Sequence, residues 1–225
     1  MKHVFILAAG SRERWEAPYP KQLADVGPES CLGRLIRQIT TRDGQPYVVT
    51  HDLMLHNAAM ALGATILYPQ MHRFTCETVL STAKLWKTPM LILVGDGVFT
   101  QKAMDAMMTC DVPLRFFGNT AELMGIAFDR SQFEAMETAL RKVLELRKKP
   151  TGKQRNPAKL WNLYRVMSHI PINQHVVKNL RQNGLLHHFD DCSFDIDTVE
   201  KYQGKVKIWA RELDDYPEKE PTHAD

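Results

Sequence analysis

The chain has 225 residues, of which 44% are hydrophobic and 24% are charged, and its formal net charge is +3. This composition is typical of a globular protein, and the length accommodates one large α/β domain or two small ones. The small net charge argues against a nucleic-acid-binding surface, and no apolar stretch approaches membrane-spanning length.

The four cysteines show no close pairing such as C-x-x-C: Cys31, Cys76, Cys110 and Cys192. Neither a zinc site nor a set of disulfide bonds is therefore expected. The first apolar run is short and is soon followed by charges, unlike a secretory signal peptide, so we expect a cytoplasmic protein.

Residues 4–7 (VFIL) form a short apolar run that predicts a buried β-strand. Three small residues follow it: Ala8, Ala9 and Gly10. They allow the backbone to turn tightly and to approach a ligand closely. Three cationic residues come next: Arg12, Arg14 and Lys21. Ligands of open α/β sheets bind at the carboxyl ends of the strands, where exposed N–H groups and cations suit a polyphosphate. The alternative is a solvated basic loop.

The next segments alternate between helical and extended patterns. We expect helices at about residues 31–41 and 52–62, and strands at 47–50 and 65–68. Strands separated by helices of this length predict right-handed βαβ units and a mainly parallel sheet. A further helix is expected to begin with Thr75 as its N-cap and to reach about Trp86.

Residues 90–94 (MLILV) are the most apolar run of the chain and predict the central strand of the sheet. Asp96 follows between two glycines, which free its carboxylate to reach into the crevice at the end of the strand. Carboxylates together with substrate phosphates are the usual Mg²⁺ ligands. The alternative is a capping or turn residue, although Thr100 can itself cap a helix over residues 101–110.

In the second half, strands are expected at about 112–117 and 123–128, with a helix opened by a Ser-x-x-Glu capping box at Ser131 and reaching about residue 149. The turn between the strands offers polar side chains that could face a ligand or only shape the turn: Asn119, Thr120, Glu122 and Asp129. Further helices are expected at 160–167 and 173–182.

Residues 147–159 contain six basic residues together with Pro and Gly, and they predict a loop, either a solvated connection or a lid that covers phosphates. In residues 194–202, alternation places Asp195 and Asp197 on one face of an extended segment with Ile196 on the other. Two adjacent carboxylates repel unless a cation lies between them, although an Asp-x-Asp-Thr helix cap is the alternative. Residues 214–225 are expected to be a flexible tail.

These motifs resemble those of the nucleotidyltransferases of the GT-A-like fold. That family, which includes cytidylyltransferases, molybdopterin nucleotidyltransferases and sugar-phosphate nucleotidylyltransferases, has the signature Leu-Ala-Ala-Gly-x-Gly-x-Arg followed by Pro-Lys. Residues 7–14 and Lys21 match it, except that Arg12 replaces the second glycine. The family's Ser-Val-Leu base-contacting segment has its counterpart at 78–80, with Thr78 in place of Ser. Its late acidic motif matches residues 195–202, with Lys201 in place of Asp.

The resemblance implies a three-layer α/β/α sandwich with a mainly parallel, Rossmann-like mixed sheet, formed by residues 1–213 as one domain. It implies catalytic roles for Arg14 and Lys21. The residues that it assigns to nucleotide binding are Leu7, Ala8, Ala9, Gly10, Ser11, Arg12, Thr78 and Gly95. The metal ligands that it implies are Asp96, Asp195 and Asp197, holding Mg²⁺ or alternatively Mn²⁺.

The implied activity is transfer of a nucleoside monophosphate from an NTP to a small phosphorylated acceptor, with release of pyrophosphate. CTP is favoured only by the cytidylyltransferase-like spacing, and neither the acceptor nor the oligomeric state follows from the sequence. One alternative is a GT-A glycosyltransferase that uses a nucleotide sugar, although residues 195–197 come late in the chain for its Asp-x-Asp motif. The other is a non-catalytic nucleotide-binding protein, which is favoured by the replacement of the signature's second glycine by Arg12.

Overall fold

The computed structural model describes residues 1–10, 14–119, 122–147, 159–171 and 184–212. Its main sheet has seven strands in the order β10-β8-β9-β6-β1-β4-β5. These strands are β1 (Lys2–Leu7), β4 (Gly44–Val49), β5 (Thr65–Leu67), β6 (Met90–Val94), β8 (Leu114–Gly118), β9 (Leu123–Phe128) and β10 (Leu186–His188). Two short pairs lie outside it: β2 (Asp25–Val26) with β3 (Glu29–Ser30), and β7 (Gly97–Val98) with β11 (Phe194–Asp195).

The sheet is mixed but mainly parallel. Strand β1 is parallel to β4 and β6, β4 is parallel to β5, and β8 is parallel to β10. Strand β9 is antiparallel to both β6 and β8. The predicted central strand, residues 90–94, is confirmed, because β6 has three strands on each side.

Seven α-helices lie within the described residues. They are α1 (Cys31–Thr40), α2 (Leu53–Ala61), α3 (Thr75–Ser81), α4 (Gln101–Met108), α5 (Phe133–Arg147), α6 (Leu160–Met167) and α7 (Val199–Glu212). Alternate residues of the strands face opposite sides of the sheet. In β1, Val4 and Ile6 pack with residues of α1, α2 and α4, whereas Phe5 and Leu7 pack with residues of α3, α5 and α6. The two apolar clusters produce the three-layer α/β/α sandwich that the resemblance implied.

The predicted N-cap of α3 is wrong by one residue. Phe74 precedes the helix, and its backbone N–H is bonded to Oε2 of Glu77 at 3.2 Å. The α-helix also ends earlier than expected, at Ser81, and a single 3-10 turn at Ala83–Leu85 continues towards Trp86. A carboxylate three residues into the helix therefore binds the backbone N–H at the helix start, which is half of a capping box.

The predicted capping box at Ser131 does not form. Asp129 lies beyond the end of β9, and its Oδ1 accepts hydrogen bonds from both the backbone N–H and the hydroxyl of Ser131, at 2.8 and 2.6 Å. A 3-10 turn at Arg130–Gln132 then leads into α5 at Phe133. The earlier aspartate captures the serine because Asp readily accepts from the backbone two residues on.

The prediction of Thr100 as the N-cap of α4 is confirmed, since its hydroxyl accepts from the N–H of Ala103 at 3.0 Å. The expected helix at 173–182, the tail at 214–225 and most of the basic segment at 147–159 lie outside the described residues. No helix of the described part of the chain combines the length and the apolar character needed to cross a membrane.

Candidate active site

A cavity of about 1070 Å³ lies at the edge of the sheet where β1, β4 and β6 end. The loop after β1 contributes Leu7, Ala8, Ala9 and Gly10. The charged residues that sequence analysis singled out also line it: Arg14, Lys21, Asp96, Asp195 and Asp197. Strands β1 and β6 are parallel neighbours, so their carboxyl ends lie at the same edge of the sheet. This arrangement brings together residues that are far apart in sequence.

The start of the loop after β1 is fixed by its neighbours on both sides. On one side, the N–H of Ala8 donates to the carbonyl of Val49 at 2.9 Å, and the hydroxyl of Thr50 donates to the carbonyl of Ala8 at 3.1 Å. On the other side, the N–H of Gly95 donates to the carbonyl of Leu7 at 2.9 Å. The predicted loop residues Ser11 and Arg12 lie outside the described residues.

Gly95 does not line the cavity, and its role in the structure is packing. A Cβ atom at this position would lie 2.7 Å from the carbonyl oxygen of Leu7 and 3.1 Å from Cβ of Ala8. The absence of a side chain lets the end of β6 approach the end of β1. Contact of Gly95 with the nucleotide stays a prediction, and in the structure Gly95 acts on the loop through the backbone beneath it.

We predict that Gly95→Ala lowers the free energy of unfolding by about 1–3 kcal/mol, the usual cost of overpacking, because the obstructing atom belongs to the backbone. Gly10→Ala is the matched control, since its Cβ would meet no atom of the described residues within 4 Å. Chemical denaturation of both variants tests this. Equal stability of Gly95→Ala and the wild-type protein would contradict the packing role.

Lys21 and Asp96 form an ion pair within the cavity. Lys21 opens a 3-10 turn after Pro20, and Asp96 is the second residue beyond the end of β6. The two side chains are only 17% and 16% exposed. Burial by itself would lower the pKa of Lys21, but the Asp96 carboxylate outweighs it and the pKa of Lys21 is raised. Burial raises the pKa of Asp96, against the opposing effect of Lys21, and nearby Asp195 adds to the rise.

The late acidic segment reaches the site through strand pairing. Asp195 of β11 is paired with Gly97 of β7, and the N–H of Ile196 donates to the carbonyl of Asp96 at 2.9 Å. Ile196 is fully buried, whereas Asp195 and Asp197 line the cavity, as the predicted alternation requires. The hydroxyl of Thr198 accepts from the N–H of Lys201 at 3.2 Å, so a threonine rather than the aspartates caps α7.

Asp197 is held between two cations. Its Oδ1 lies 3.0 Å from Nη2 of Arg14, and its Oδ2 lies 3.3 Å from Nζ of Lys201. Asp197 is 10% exposed, while Arg14 and Lys201 are 64% and 59% exposed. Burial would raise the pKa of Asp197, but Arg14 and then Lys201 and Lys21 outweigh it, and the pKa is lowered. Asp197 is therefore an anion over the physiological pH range.

Glu122 is the site residue whose position sequence analysis left open. Its carboxylate and those of Asp195 and Asp197 offer oxygen atoms that all lie within 4.8 Å of one another. Asp96 is not part of this group, although it lies in the same cavity and contacts Lys21. The structure thus brings together two of the three predicted metal ligands with one carboxylate that was interpreted as facing an acceptor or shaping a turn.

A tight turn between β8 and β9 positions Glu122. The N–H of Asn119 donates to the carbonyl of Glu122 at 2.9 Å, and the N–H of Glu122 donates to Oδ1 of Asn119 at 3.0 Å. Any side chain at Gly118 would collide with this turn, because a Cβ atom would lie 2.1 Å from the carbonyl oxygen of Glu122. Burial, followed by a hydrogen bond and charge repulsion from Asp195, raises the pKa of Glu122 to about 8.

These carboxylates fit a divalent cation. Their oxygen ligands suit a hard ion such as Mg²⁺, and the pKa of Glu122 is raised first by burial and then by its hydrogen bond with Asp195 and by repulsion from Asp195 and Asp197. A cation among the three oxygens would remove that repulsion. The acidic cluster and the cationic loop share one cavity, so a bound ion would lie beside any polyphosphate held there.

Thr78, in helix α3, lies in the wall of the cavity. It is 4% exposed, and its hydroxyl donates to the carbonyl of Phe74 at 3.3 Å. Several further lining residues had no sequence signal: His51, Asp52, His72, Arg73 and Phe74. Beside α3 the wall continues with Lys159, whose carbonyl accepts from Sγ of Cys76 at 3.6 Å, and then with Leu160 and Trp161, and Met124 of β9 also lines the cavity.

No protein-family model matches this sequence, and a comparison with curated proteins also finds no match. Solved structures do match. The CTP:phosphocholine cytidylyltransferase of Streptococcus pneumoniae superposes with a TM-score of 0.59 at 12% identity, over 92% of this chain and 99% of that chain.

Two further structures match over similar lengths. A nucleotidyl transferase from a Methanothermobacter species has a TM-score of 0.58 at 13% identity, over 94% of this chain and 99% of its own. The inositol-1-phosphate CTP transferase from T. maritima has a TM-score of 0.56 at 9% identity, over 93% and 96%. The chain therefore has the α/β fold of the nucleotidyltransferases, and the resemblance that its motifs indicated is confirmed at the level of the fold.

Proposed function

We propose that this protein is a metal-dependent nucleotidyltransferase. It would transfer a nucleoside monophosphate from an NTP to a small phosphorylated acceptor and release pyrophosphate. The observation that carries this proposal is the convergence, in one cavity, of the small-residue loop after β1, the cations Arg14 and Lys21, and an acidic cluster. We treat residues 1–213 as one domain with this activity, and a cytoplasmic location stays a prediction.

Nucleotidyl transfer requires in-line positioning and neutralisation of charge more than a covalent intermediate. The backbone of the loop after β1 would hold the triphosphate, because small side chains leave its N–H groups accessible. Lys21 and Arg14 would stabilise the charge that develops on the α-phosphate and on the leaving pyrophosphate. Both cations now contact aspartates, and an incoming triphosphate would compete with Asp96 for Lys21 and with Asp197 for Arg14.

Asp195, Asp197 and Glu122 would hold the divalent cation, with Asp96 close by. When bound, Mg²⁺ or Mn²⁺ would neutralise phosphate oxygens and polarise the α-phosphorus. This ligand set modifies the one that the sequence motifs implied, because Glu122 joins it and Asp96 is paired with Lys21.

The lining of the cavity suggests how the two substrates would lie. The loop after β1 would hold the phosphates, and the nucleotide would extend towards Thr78. The acceptor would bind towards β9, near Glu122 and Met124. CTP is our first choice of NTP, because the chain resembles cytidylyltransferases in motif spacing and shares the fold of two that use CTP by name.

Pyrophosphate release tests this function directly. The four NTPs should be screened against phosphorylated sugars, polyols and amino alcohols, with Mg²⁺ and with Mn²⁺. We expect acceptor-dependent pyrophosphate release with one NTP. Binding of NTP without turnover under any condition would instead support a non-catalytic nucleotide-binding protein, and consumption of a nucleotide sugar would support a glycosyltransferase.

We predict that Mg²⁺ stabilises the protein more strongly above pH 8 than at mildly acidic pH. Folding raises the pKa of Glu122 from 4.5 to about 8, so its contribution to stability is full below 4.5 and is lost as the pH rises through about 8. Mg²⁺ must displace the proton of Glu122, and above pH 8 this proton is already absent. Thermal unfolding with and without Mg²⁺ across this pH range measures the effect.

Glu122→Gln is the control for this titration. It should flatten the pH dependence of the Mg²⁺-induced shift in melting temperature, because glutamine does not ionise. The role of Glu122 as a metal ligand would be contradicted if the Mg²⁺-induced shift in melting temperature were independent of pH in the wild-type protein. An unchanged pH profile of that shift in Glu122→Gln would contradict it as well.

A further inference from the structure

Residues 53–72, which form α2, β5 and the loop after β5, contain no Asp, Glu, Lys or Arg. This is the longest uncharged stretch in a chain of which 24% is charged. It nevertheless lies at the surface, since only Leu55 and Ala59 of α2 are buried. Charged residues are the ones that protein interfaces typically lack, so the composition of this surface is that of an interface core.

The stretch exposes six large apolar side chains, from 44% to 71% of their surface: Leu53, Met54, Met60, Leu62, Tyr68 and Met71. We call these residues the α2 patch. At roughly half exposure, side chains of this size present on the order of 500 Å² of apolar surface, comparable with the largest patches found on monomers. Surface leucines and methionines are unremarkable singly, but this set is concentrated in one segment of the chain.

One contact joins the two elements that carry the patch. The hydroxyl of Tyr68 is hydrogen-bonded to Nδ1 of His56 at 2.6 Å, and the two rings are stacked with centroids 5.9 Å apart. His56 lies one helical turn from both Leu53 and Met60. The loop after β5 is thereby attached to the exposed face of α2, and an aromatic ring lies among the aliphatic side chains.

The patch borders an open edge of the sheet. Among the described strands, β5 pairs only with β4, which leaves its outer backbone groups without a strand partner. Exposed edges of this kind pair readily with another strand. A partner that covers the α2 patch would therefore also meet hydrogen-bonding groups of the backbone beside it.

We propose that the α2 patch and the edge of β5 form the interface of a homodimer. A second copy matches this surface in charge, because the uncharged residues 53–72 of one chain would meet the same uncharged residues of the other across a twofold axis. Two β5 strands related by such an axis would run antiparallel and extend the sheet. A charged partner would find no counter-charge in residues 53–72, and the chain's own residues 213–225 are too rich in charge to cover the patch.

Light scattering coupled to size-exclusion chromatography tests this proposal on the full chain over a range of concentrations. We expect a dimer that dissociates on dilution, and we expect Met60→Glu and Leu53→Glu each to weaken association at least tenfold by burying charge at the interface. Leu85→Glu is the matched control, because Leu85 is a similarly exposed apolar residue outside the patch. Melting temperatures that match the wild-type value at concentrations where the wild-type protein is monomeric would show that the variants fold.

Hydrogen exchange gives an independent readout. Amides of β5 should exchange more slowly at concentrations where the dimer forms, and this protection should be absent in Met60→Glu. A wild-type protein that stays monomeric at all concentrations would overturn the proposal. So would a dimer that neither glutamate variant weakens, or one that Leu85→Glu weakens equally.

Discussion

Replacement of Lys21 by alanine is expected to reduce turnover by about 10²–10³-fold, the usual loss when one preorganised group that stabilises transition-state charge is removed. Lys21 is the cation that the cavity holds most rigidly, since it is 17% exposed and paired with Asp96. Its raised pKa keeps it protonated throughout the pH range of any assay. Steady-state pyrophosphate release, measured with saturating NTP, gives the effect on kcat.

The experiment must separate a loss of catalysis from a loss of folding, because Lys21→Ala leaves the buried carboxylate of Asp96 without its counter-ion. Loss of one partner of a buried pair is typically destabilising by about 3–5 kcal/mol. The double variant Lys21→Ala/Asp96→Asn removes the unpaired charge, and it should regain stability without regaining turnover. Lys84→Ala serves as control, since Lys84 is exposed outside the cavity. Wild-type turnover in a folded Lys21→Ala variant would refute the catalytic role.

The parts of the structure that the sequence predicted well are those with a local signal. The apolar run at 90–94 was long enough to identify the central strand, and the small residues after residues 4–7 marked the loop at the end of β1. Both features depend on residues adjacent in the chain. The order in which motifs occurred also indicated the fold, because the parallel arrangement of β1 and β6 brings their carboxyl ends to one edge.

Glu122 shows why the acidic cluster was only partly predictable. Its position depends on the tight turn at Gly118 and Asn119, and the side chain of Asn119 also lies 3.5 Å from the carbonyl of Ser193, next to the acidic segment. Such a contact across 74 residues leaves no periodic pattern in the sequence. Gly95 shows the converse, because a glycine that the motif assigned to nucleotide binding also has a packing role against Leu7, which the motif does not reveal.

Capping errors had a similar origin. Thr75 and Ser131 both matched the local preference for a helix start, but neither caps a helix. The carboxylate of Glu77 accepts from the N–H of Phe74, and that of Asp129 accepts from the N–H of Ser131. The sequence pattern predicts that a helix begins nearby, but the choice of acceptor depends on where the preceding strand or loop ends.

Asp197→Asn is expected to reduce metal-dependent turnover by about 10²–10⁴-fold, because a ligand of a catalytic cation contributes several kcal/mol of charge stabilisation. The substitution preserves size and removes the charge that faces Glu122, Asp195 and the cations Arg14 and Lys201. The metal concentration required for half-maximal activity should rise as well, which loss of a purely structural residue would not cause.

This variant should be less destabilised than Lys21→Ala, because the groups that it leaves unpaired are solvated. Arg14 and Lys201 are each more than half exposed, and exposed ion pairs typically contribute about 0–1 kcal/mol. The pKa of Asp197 is lowered by folding, so its contribution to stability exists above the unfolded value of 3.8 and is lost as the pH falls through the folded one. Asp197→Asn should therefore lose that part of the acid sensitivity of the protein.

Asp190→Asn is the matched control for Asp197→Asn, because Asp190 lies nearby in sequence, is 83% exposed and pairs with His188 outside the cavity. Titration of activity with Mg²⁺ and with Mn²⁺ should separate the two variants. We expect Asp190→Asn to match the wild-type protein and Asp197→Asn to require a higher metal concentration for half-maximal activity at every pH. If both variants titrated as the wild-type protein does, the acidic cluster would be a solvated feature of the surface, and the proposed metal-assisted chemistry would have no ligand set in this cavity.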